Sequence, residues 1–587
     1  MDNEKRTLLA IVFSILILVG YQTFFSSPPQ VTETPETGIN EKVQQAKIIP
    51  PKLPSPKNLT EHRITAETTD SYIPSDRSDD TVTVNTNLFT AVMTKYGARF
   101  KSMKLNNYKE RIKPPAIVKL KEKIFPSKSL KSGAQDINEP KEILYPGKSP
   151  FDLPLRASFI TPDGTIYPDS NWAIKTSSSP DKKIDFIQNN PQRLTIEKAL
   201  QFDNDNYLIN FTLKFKNDTD KIHDGSGFIE WAAPLPEKKG GGIFSSAAIS
   251  DTPRFSYYIN DKIEKKNLTD VEEEMIIEGK VAWTAVEEKY FTSAIVPVSE
   301  NPAQVRVSKK NDSTITYKLL YPYIALKPGE EKSYTFSLYI GPKDIDILRE
   351  QNAQLEKTID FGWFDIIAKP LLLSLKFFYK YIKNYGLAII LITIIIKILF
   401  WPLANKSFKS MKGMQNIQPE IAKLKEKYAD NKEEFAKAQM GLYKQYNVNP
   451  LGGCLPMLLQ IPVFIALYRV LGDSIELRHA NFITFWINDL SAKDPTYIAP
   501  LLMGASMFLQ QKMSPSTADP TQAKMMMFMP LIFTVMFLSF PSGLVIYWLL
   551  NNVLSIVQQY YINKKSTVPG GNECSPSKPK QKQSKKQ

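Results

Sequence analysis

Cysteine and histidine are nearly missing from this 587-residue chain, which has two cysteines, Cys454 and Cys574, and three histidines, His62, His223 and His479. Neither cysteine falls in the polar half, so no disulfide framework is available. The histidines are scattered, HExxH is absent, and each reads as an ordinary surface or core residue rather than a ligand. The Gly240-Gly241-Gly242 run lacks the strand, helix and GK[ST] context of a phosphate loop, which leaves a flexible loop. Carboxylates are plentiful, for instance Glu287 and Glu288 in WTAVEEKYF, but nothing pairs them as acid and base, and solvated side chains are the default. No cofactor, metal or catalytic residue is expected from this composition.

What the chain does have is two unlike parts, a polar region from about Ser26 to Thr358 and a strongly apolar one from Phe361 to Ile562. The apolar part is organised around Tyr385 to Leu403, YGLAIILITIIIKILFWPL, long enough to span a bilayer, which takes about 20 apolar residues. One lysine, Lys397, interrupts it, and a charge inside hydrocarbon costs roughly 2.5 to 3.5 kcal/mol or more. Lys397 is either a functional buried charge or an anchor that snorkels toward the headgroups near Trp401 and Pro402. Thr393, Lys397 and Trp401 recur every four residues and form a polar stripe on one helical face.

Taken in order, residues 1–25 read as an uncleaved membrane anchor rather than a signal peptide, because the apolar run after Lys5 and Arg6 is long and no A-x-A site follows. Residues 26–80 are rich in Pro, Thr, Glu and Lys and read as a tether. Over 81–343 the period becomes two, in TVTVNT, RASFIT, KIDFIQ, YLINFTLKF, ITYKLLY and YTFSLYIG, which predicts a mostly antiparallel β-sandwich. Residues 344–384 hold a linker helix and an aromatic, lysine-studded helix that suits the membrane interface better than a full span.

Beyond the Lys397 span (385–403), residues 404–449 carry nine lysines against five acidic residues and read as a two-helix hairpin. The lysine excess places this hairpin in the cytoplasm, where it serves either as a docking surface or simply as topogenic charge. Further spans are expected at 450–471, 497–512, 524–540 and 541–562, with an external loop at 472–496 and a cytoplasmic one at 513–523. The tail, 563–587, has seven lysines and one glutamate. The sum is a polytopic α-helical membrane protein with six transmembrane helices, both termini cytoplasmic, and an all-β domain outside.

Polar residues recur inside these spans: Tyr547, Asn551, Ser555 and Gln559 in the last, Ser506 and Gln510 in another, Gln460 and Tyr468 in a third. They either hydrogen-bond between helices or share a hydrated groove with Lys397. Eight methionines, from Met503 to Met536, crowd two neighbouring spans, as adaptable contact surface or as lipid-facing filler.

The segments NPLGGCLPMLLQIPVFIALYRVL, FWINDLSAKDPTYIAPLLMGASMFLQQKMSP and MPLIFTVMFLSFPSGLVIYW resemble the core of the YidC family of membrane-protein insertases. The N-terminal anchor and the β domain ending in YIGPK resemble the Gram-negative branch more loosely. The resemblance implies a five-helix insertase core and a large periplasmic domain in a bacterial inner membrane. It also implies a positively charged groove, open to cytoplasm and lipid, that hosts hydrophilic parts of nascent membrane proteins. The family's groove cation is commonly arginine, five residues before a proline; here Lys397 stands before Pro402, and Thr393 and Tyr547 match other groove positions. The groove set read this way is Lys397, Thr393, Tyr547, Asn551, Ser555, Gln460, Ser506 and Gln510. Implied partners are nascent membrane proteins, the Sec translocon, the lipid bilayer, and the ribosome and signal-recognition machinery through the hairpin and tail.

The β domain resembles sugar-processing sandwiches of the family description, but no catalytic pair is visible in it. An ion-coupled transporter using Lys397 is the alternative. It predicts inverted repeats and intramembrane carboxylates, whereas Asp473, Glu476, Asp489 and Asp494 gather in the external loop. A membrane-tethered enzyme acting on envelope carbohydrate is a third reading.

Overall fold

A computed structural model of the chain describes residues 81–118, 139–144, 152–167, 170–178, 182–189, 192–235, 253–428, 431–446, 448, 455–513 and 520–566. The expected anchor (1–25), tether (26–80), Gly240–Gly242 loop, most of the 513–523 loop and nearly all of the basic tail lie outside the described residues.

Alternation with period two fixes the β region. In Leu208–Lys216 the side chains of Ile209, Phe211, Leu213 and Phe215 are buried and those between them are more exposed. This strand pairs antiparallel with Thr195–Phe202 and Glu331–Pro342 inside a nine-stranded sheet whose edges are Lys262–Asn267 and Ala173–Ser178. A six-stranded sheet built around His223–Pro234 and Thr314–Leu320 faces it. The faces meet through aromatic rings: Phe159 on Phe215, Tyr317 on Phe255 and Tyr321 on Tyr334, with centroids 5.5, 5.0 and 4.1 Å apart. A four-stranded sheet, from Thr81–Asn85 to Pro140–Glu142, joins the same core through Phe89 and Phe100. The expected sandwich is therefore present, with a third sheet added.

One lysine pins that third sheet. Lys198, fully buried, donates from Nζ to the carbonyls of Gly97, Ala98 and Leu155 at 2.6, 3.2 and 3.0 Å, and lies 4.7 Å from the Trp172 ring centroid. Gly97 and Ala98 both have left-handed backbone, φ +69° and +47°, so the lysine secures a turn that costs energy at alanine. Glu287 departs from the solvated reading. It is buried and bonded to Lys343 at 2.9 Å and Lys265 at 3.5 Å. Burial would raise its carboxyl, but the two lysines outweigh burial and hold it below the usual carboxylate range.

The helical part begins with α1 (Ile345–Glu350), capped by the Asp344 side chain, followed by α2 (Asp365–Ile382). Then come α3 (Tyr385–Asn416), the hairpin helices α4 (Gln418–Lys427) and α5 (Lys432–Gln445), α6 (Leu455–Asp473), α7 (Ile498–Met513), α8 (Pro520–Phe537) and α9 (Ser542–Ser566). Sequence reading ended the Lys397 span at Leu403 and began the hairpin at Ala404, whereas α3 runs unbroken through Pro402 to Asn416. At about 1.5 Å per residue its 32 residues reach about 48 Å, beyond the roughly 30 Å hydrocarbon core. The hairpin proper starts at Gln418 and turns at Asn431, whose side chain caps α5. Among the described residues, α3 alone is long and apolar enough to cross a membrane by composition; Met526–Phe537 is a shorter apolar stretch. Exposed Ile398, Leu399, Leu501, Leu531, Ile532 and Val557 give the helices around it apolar outer faces.

Helix α2 presents Ile366, Leu373, Phe377 and Tyr381 outward and buries Ala368, Leu372 and Leu375 against the rest. Lys376 on this helix is not solvated, as an interfacial lysine would be. Its Nζ meets Asp344 at 2.9 Å, Asp346 at 2.7 Å and Glu476 at 3.2 Å, tying the end of the β region, α2 and the loop after α6 together. Tyr290 Oη donates to the Gly472 carbonyl at 2.9 Å, Arg478 to that of Lys109 at 2.7 Å, and Asn488 to that of Lys113 at 2.6 Å. The loop between α6 and α7 thus lies at the same end of the helices as the β region.

Burial would lower the Lys376 ammonium, but Glu476, Asp346 and Asp344 outweigh it and hold it above its ordinary value. For Glu476, burial first and Asp344 next push the carboxyl up to about 6 against the pull of Lys376. Replacing Lys376 by methionine leaves three acids facing one another. After discounting for their partial exposure, a loss of about 2 kcal/mol is expected. Limited proteolysis of the Asp344–Phe364 segment checks this: cleavage should rise at least tenfold over wild type.

Candidate functional site

The sequence puts Lys397 halfway along an apolar helix, and the fold supplies its neighbour. Helix α9 lies alongside α3, and Lys397 Nζ donates to Ser555 Oγ at 2.7 Å. Ser555 in turn donates to the Asn551 carbonyl one turn earlier, at 2.8 Å. Among the described residues no carboxylate lies within ion-pair distance of Lys397. Among the described residues the charge is held by a neutral hydroxyl. A neutral partner relieves less of the cost of burying a charge than a carboxylate does, so the ammonium keeps its attraction for any anion that approaches.

Thr393, one turn before Lys397, is buried and donates to its own helix at the Ile389 carbonyl, 2.7 Å. Trp401, one turn after, is 42% exposed. A four-residue step overshoots a full helical turn by about 40°, so the stripe seen in sequence rotates out of the α3–α9 contact within two steps. The same drift splits the α9 stripe. Tyr547, buried, takes a hydrogen bond from Gln460 Nε2 on α6. Asn551, half-buried, has an Oδ1 with no partner, and Ser555 meets Lys397. Gln559 has turned toward α7, where its Nε2 donates to the Met513 carbonyl at 2.7 Å.

Ser506 does not join this set. Its hydroxyl donates to the Met503 carbonyl at 2.6 Å and accepts from Asn552 Nδ2 at 3.0 Å, so it packs α7 on α9 in a buried contact. Gln510 sits half-buried one turn further along α7. Tyr468 packs edge-on to Phe540 at 5.5 Å, away from Lys397's partners. The structure therefore brings together Lys397 and Ser555, with Asn551 next to them on α9 and Tyr547 with Gln460 a turn beyond; Ser506 serves helix packing.

Two groups were missed. Gln558 Nε2 donates to Asn405 Oδ1 at 3.0 Å, a second polar tie between α9 and α3 two turns past Lys397. Asn405 continues the spacing of eight from Lys397, a signal hidden because the helix was ended at Leu403. Asn552 lies one residue off the four-residue stripe and was passed over for that reason. The two methionine-rich helices, α7 and α8, do pack together: Gly504 of α7 lies so close to Thr534 of α8 that a Cβ there would collide with its Oγ1. Met527, Met529 and Met536 are exposed and Met503 is buried.

The family model described as the 60Kd inner membrane protein matches residues 377–569, and that described as the YidC periplasmic domain matches residues 81–374. Two curated relatives, each named membrane protein insertase YidC, come from Syntrophus aciditrophicus and Pelobacter propionicus. The first is 40% identical, covering 96% of this chain and 100% of its own length. The second is 41% identical, covering 96% and 99%. A solved structure titled as an active YidC insertase with the first transmembrane domain resolved covers 83% of this chain and 93% of its own at 17% identity, with a TM-score of 0.36. With both family models matched and relatives of about this identity spanning nearly the whole length, the chain belongs to the YidC family of membrane protein insertases, with a periplasmic β domain and an inner-membrane helical part.

Proposed function

We propose that this chain inserts nascent membrane proteins into the inner membrane and helps them fold, using the α3–α9 site as a positively charged groove. The observation that carries the reading is Lys397, held in an apolar helix by Ser555 with no carboxylate near it among the described residues. A cation that lacks a fixed anion attracts a passing one, and a polar segment of a nascent chain that meets it crosses less hydrocarbon. Apolar segments then leave along the exposed faces of α3, α8 and α9. Their transfer, at about 25 cal/mol per Å², drives insertion without a nucleotide, and the membrane potential assists acidic tails moving outward.

The wider arrangement follows from the same reading. Helices α3, α6, α7, α8 and α9 form five spans, residues 1–25 add a sixth, and both termini face the cytoplasm. The lysine-rich hairpin α4–α5 and the tail 563–587 receive the ribosome and targeting machinery, and the protein works alone or beside the Sec translocon. Site-specific photo-crosslinking tests the groove. A photoreactive residue at position 397 or 555 is expected to capture a ribosome-stalled membrane protein, while one at exposed Leu531 captures its apolar segment. Capture at neither 397 nor 555 contradicts the groove.

A further inference from the structure

Apart from the Lys397 site, the described residues contain a charged cavity of about 80 Å³ where the β domain, α2 and the outer end of α6 meet. That is several times the roughly 10 to 15 Å³ one water needs. Its lining is balanced in charge, with five acidic and five basic side chains. It includes buried Ser474 and the Glu476 carboxylate, a side chain only 4% exposed, and among the described residues Glu476 Oε2 and Ser474 Oγ have no hydrogen-bond partner. Glu476 shares its one ammonium, Lys376, with Asp344 and Asp346, while the lining lysines Lys265 and Lys343 are engaged by Glu287. Arg254 and Arg469 also line the cavity. Arg469 reaches Asp473 only at 3.9 Å and is nearly half exposed, and Arg254 has no ion pair among the described residues.

Buried acceptors without donors call for a ligand that donates, and a lining with as many acidic as basic side chains suits a ligand that carries both charges. Two guanidinium groups in the same lining call for a phosphate. We propose that this cavity binds the headgroup of a zwitterionic phospholipid with a primary amine, phosphatidylethanolamine. Its ammonium donates to Glu476 and Ser474 and its phosphate lies against Arg254 and Arg469. A lipid is favoured over a soluble phosphate ester by what lies beside the cavity. Leu372 and Phe361 form part of its wall, and α2, which supplies Leu372, carries the outward apolar residues Ile366, Leu373 and Phe377, a surface for acyl chains. The bound headgroup would also bridge the seam that Lys376 holds, making the attachment of the periplasmic domain to the helices depend on the lipid.

The test uses the purified full-length chain in detergent, offered equal parts of phosphatidylethanolamine, phosphatidylcholine and phosphatidylglycerol, with retained lipids counted by native mass spectrometry. Phosphatidylethanolamine should be enriched at least fivefold over phosphatidylcholine, whose quaternary amine cannot donate. Both Glu476→Gln and Arg469→Ala should abolish the enrichment. The exposed Arg469→Ala is the safeguard, since it leaves the Lys376 contacts intact. Equal retention of the three lipids, preference for phosphatidylglycerol, or an enrichment that survives Arg469→Ala overturns the proposal. Millimolar phosphoethanolamine should fail to displace the lipid; displacement would overturn the lipid source.

Discussion

Exchanging Lys397 for glutamate is expected to cut insertion of a substrate with an acidic external tail at least tenfold, and to leave one with a basic tail unharmed or improved. At an effective dielectric of about 20 and about 4 Å, two unit charges interact by roughly 4 kcal/mol. Reversing the sign turns that attraction into repulsion, and even with most of it screened the change exceeds the 1.4 kcal/mol of a tenfold effect. Ser555 can donate to a glutamate as readily as it accepts from lysine, so the variant should fold. Lys397→Arg should keep most of the activity, since the charge and the hydroxyl partner remain while the hydrogen-bond geometry changes. The discriminating readout is the ratio of acidic-tail to basic-tail insertion across wild type, Lys397→Arg and Lys397→Glu. A general loss of both substrates in Lys397→Glu would mean a damaged fold instead.

The second large effect lies in the periplasmic domain. Lys198→Ala removes the ammonium that donates to the carbonyls of Gly97, Ala98 and Leu155, in a site with no exposure to water. Each buried acceptor left unpaired costs about 1 to 3 kcal/mol, and the left-handed turn at Gly97 and Ala98 loses its anchor. A loss of about 4 kcal/mol is expected. For a domain of this size that is about 8 to 16 °C in Tm. Lys198→Met, which keeps the stem but not the donor, should lose nearly as much, because the ammonium and not the packing does the holding. Thermal unfolding of the full chain followed by tryptophan fluorescence reads both. A shift below about 3 °C in either variant would contradict this role.

Much of the architecture could be read from residues because the relevant signals are local. Period-two alternation marks Leu208–Lys216 and Glu331–Pro342 without reference to any partner strand. The hairpin turn was legible at Asn431, a capping residue between two helical patterns. What failed was whatever depended on distant partners or on helical geometry beyond one or two turns. Glu287 looked solvated because Lys343 lies 56 residues away. Lys376 looked interfacial because Glu476 lies 100 residues away. The α3 boundary was misplaced because proline is tolerated where neighbouring helices support it, and because the lysines and serines after Pro402 carry no apolar period.

At the candidate site the four-residue stripes placed Asn551 and Ser555 on one face of a helix, and Lys397 meets Ser555 there. They also enrolled Ser506, which the three-dimensional arrangement commits to Asn552. A repeat of four on a helix of 3.6 drifts by about a third of a turn over three steps. Residues at the ends of such a stripe therefore face different neighbours.

The proposed role of Lys397 in insertion can be tested without a translocon. The measurement that tests it most directly is protease protection of an acidic-tailed, single-spanning substrate in proteoliposomes that hold only this protein. Wild type should protect the tail well above empty liposomes, with protection lost in both Lys397→Ala and Lys397→Glu. Protection that is unchanged in both variants would contradict the role given to Lys397, and no protection by wild type would contradict autonomous insertion.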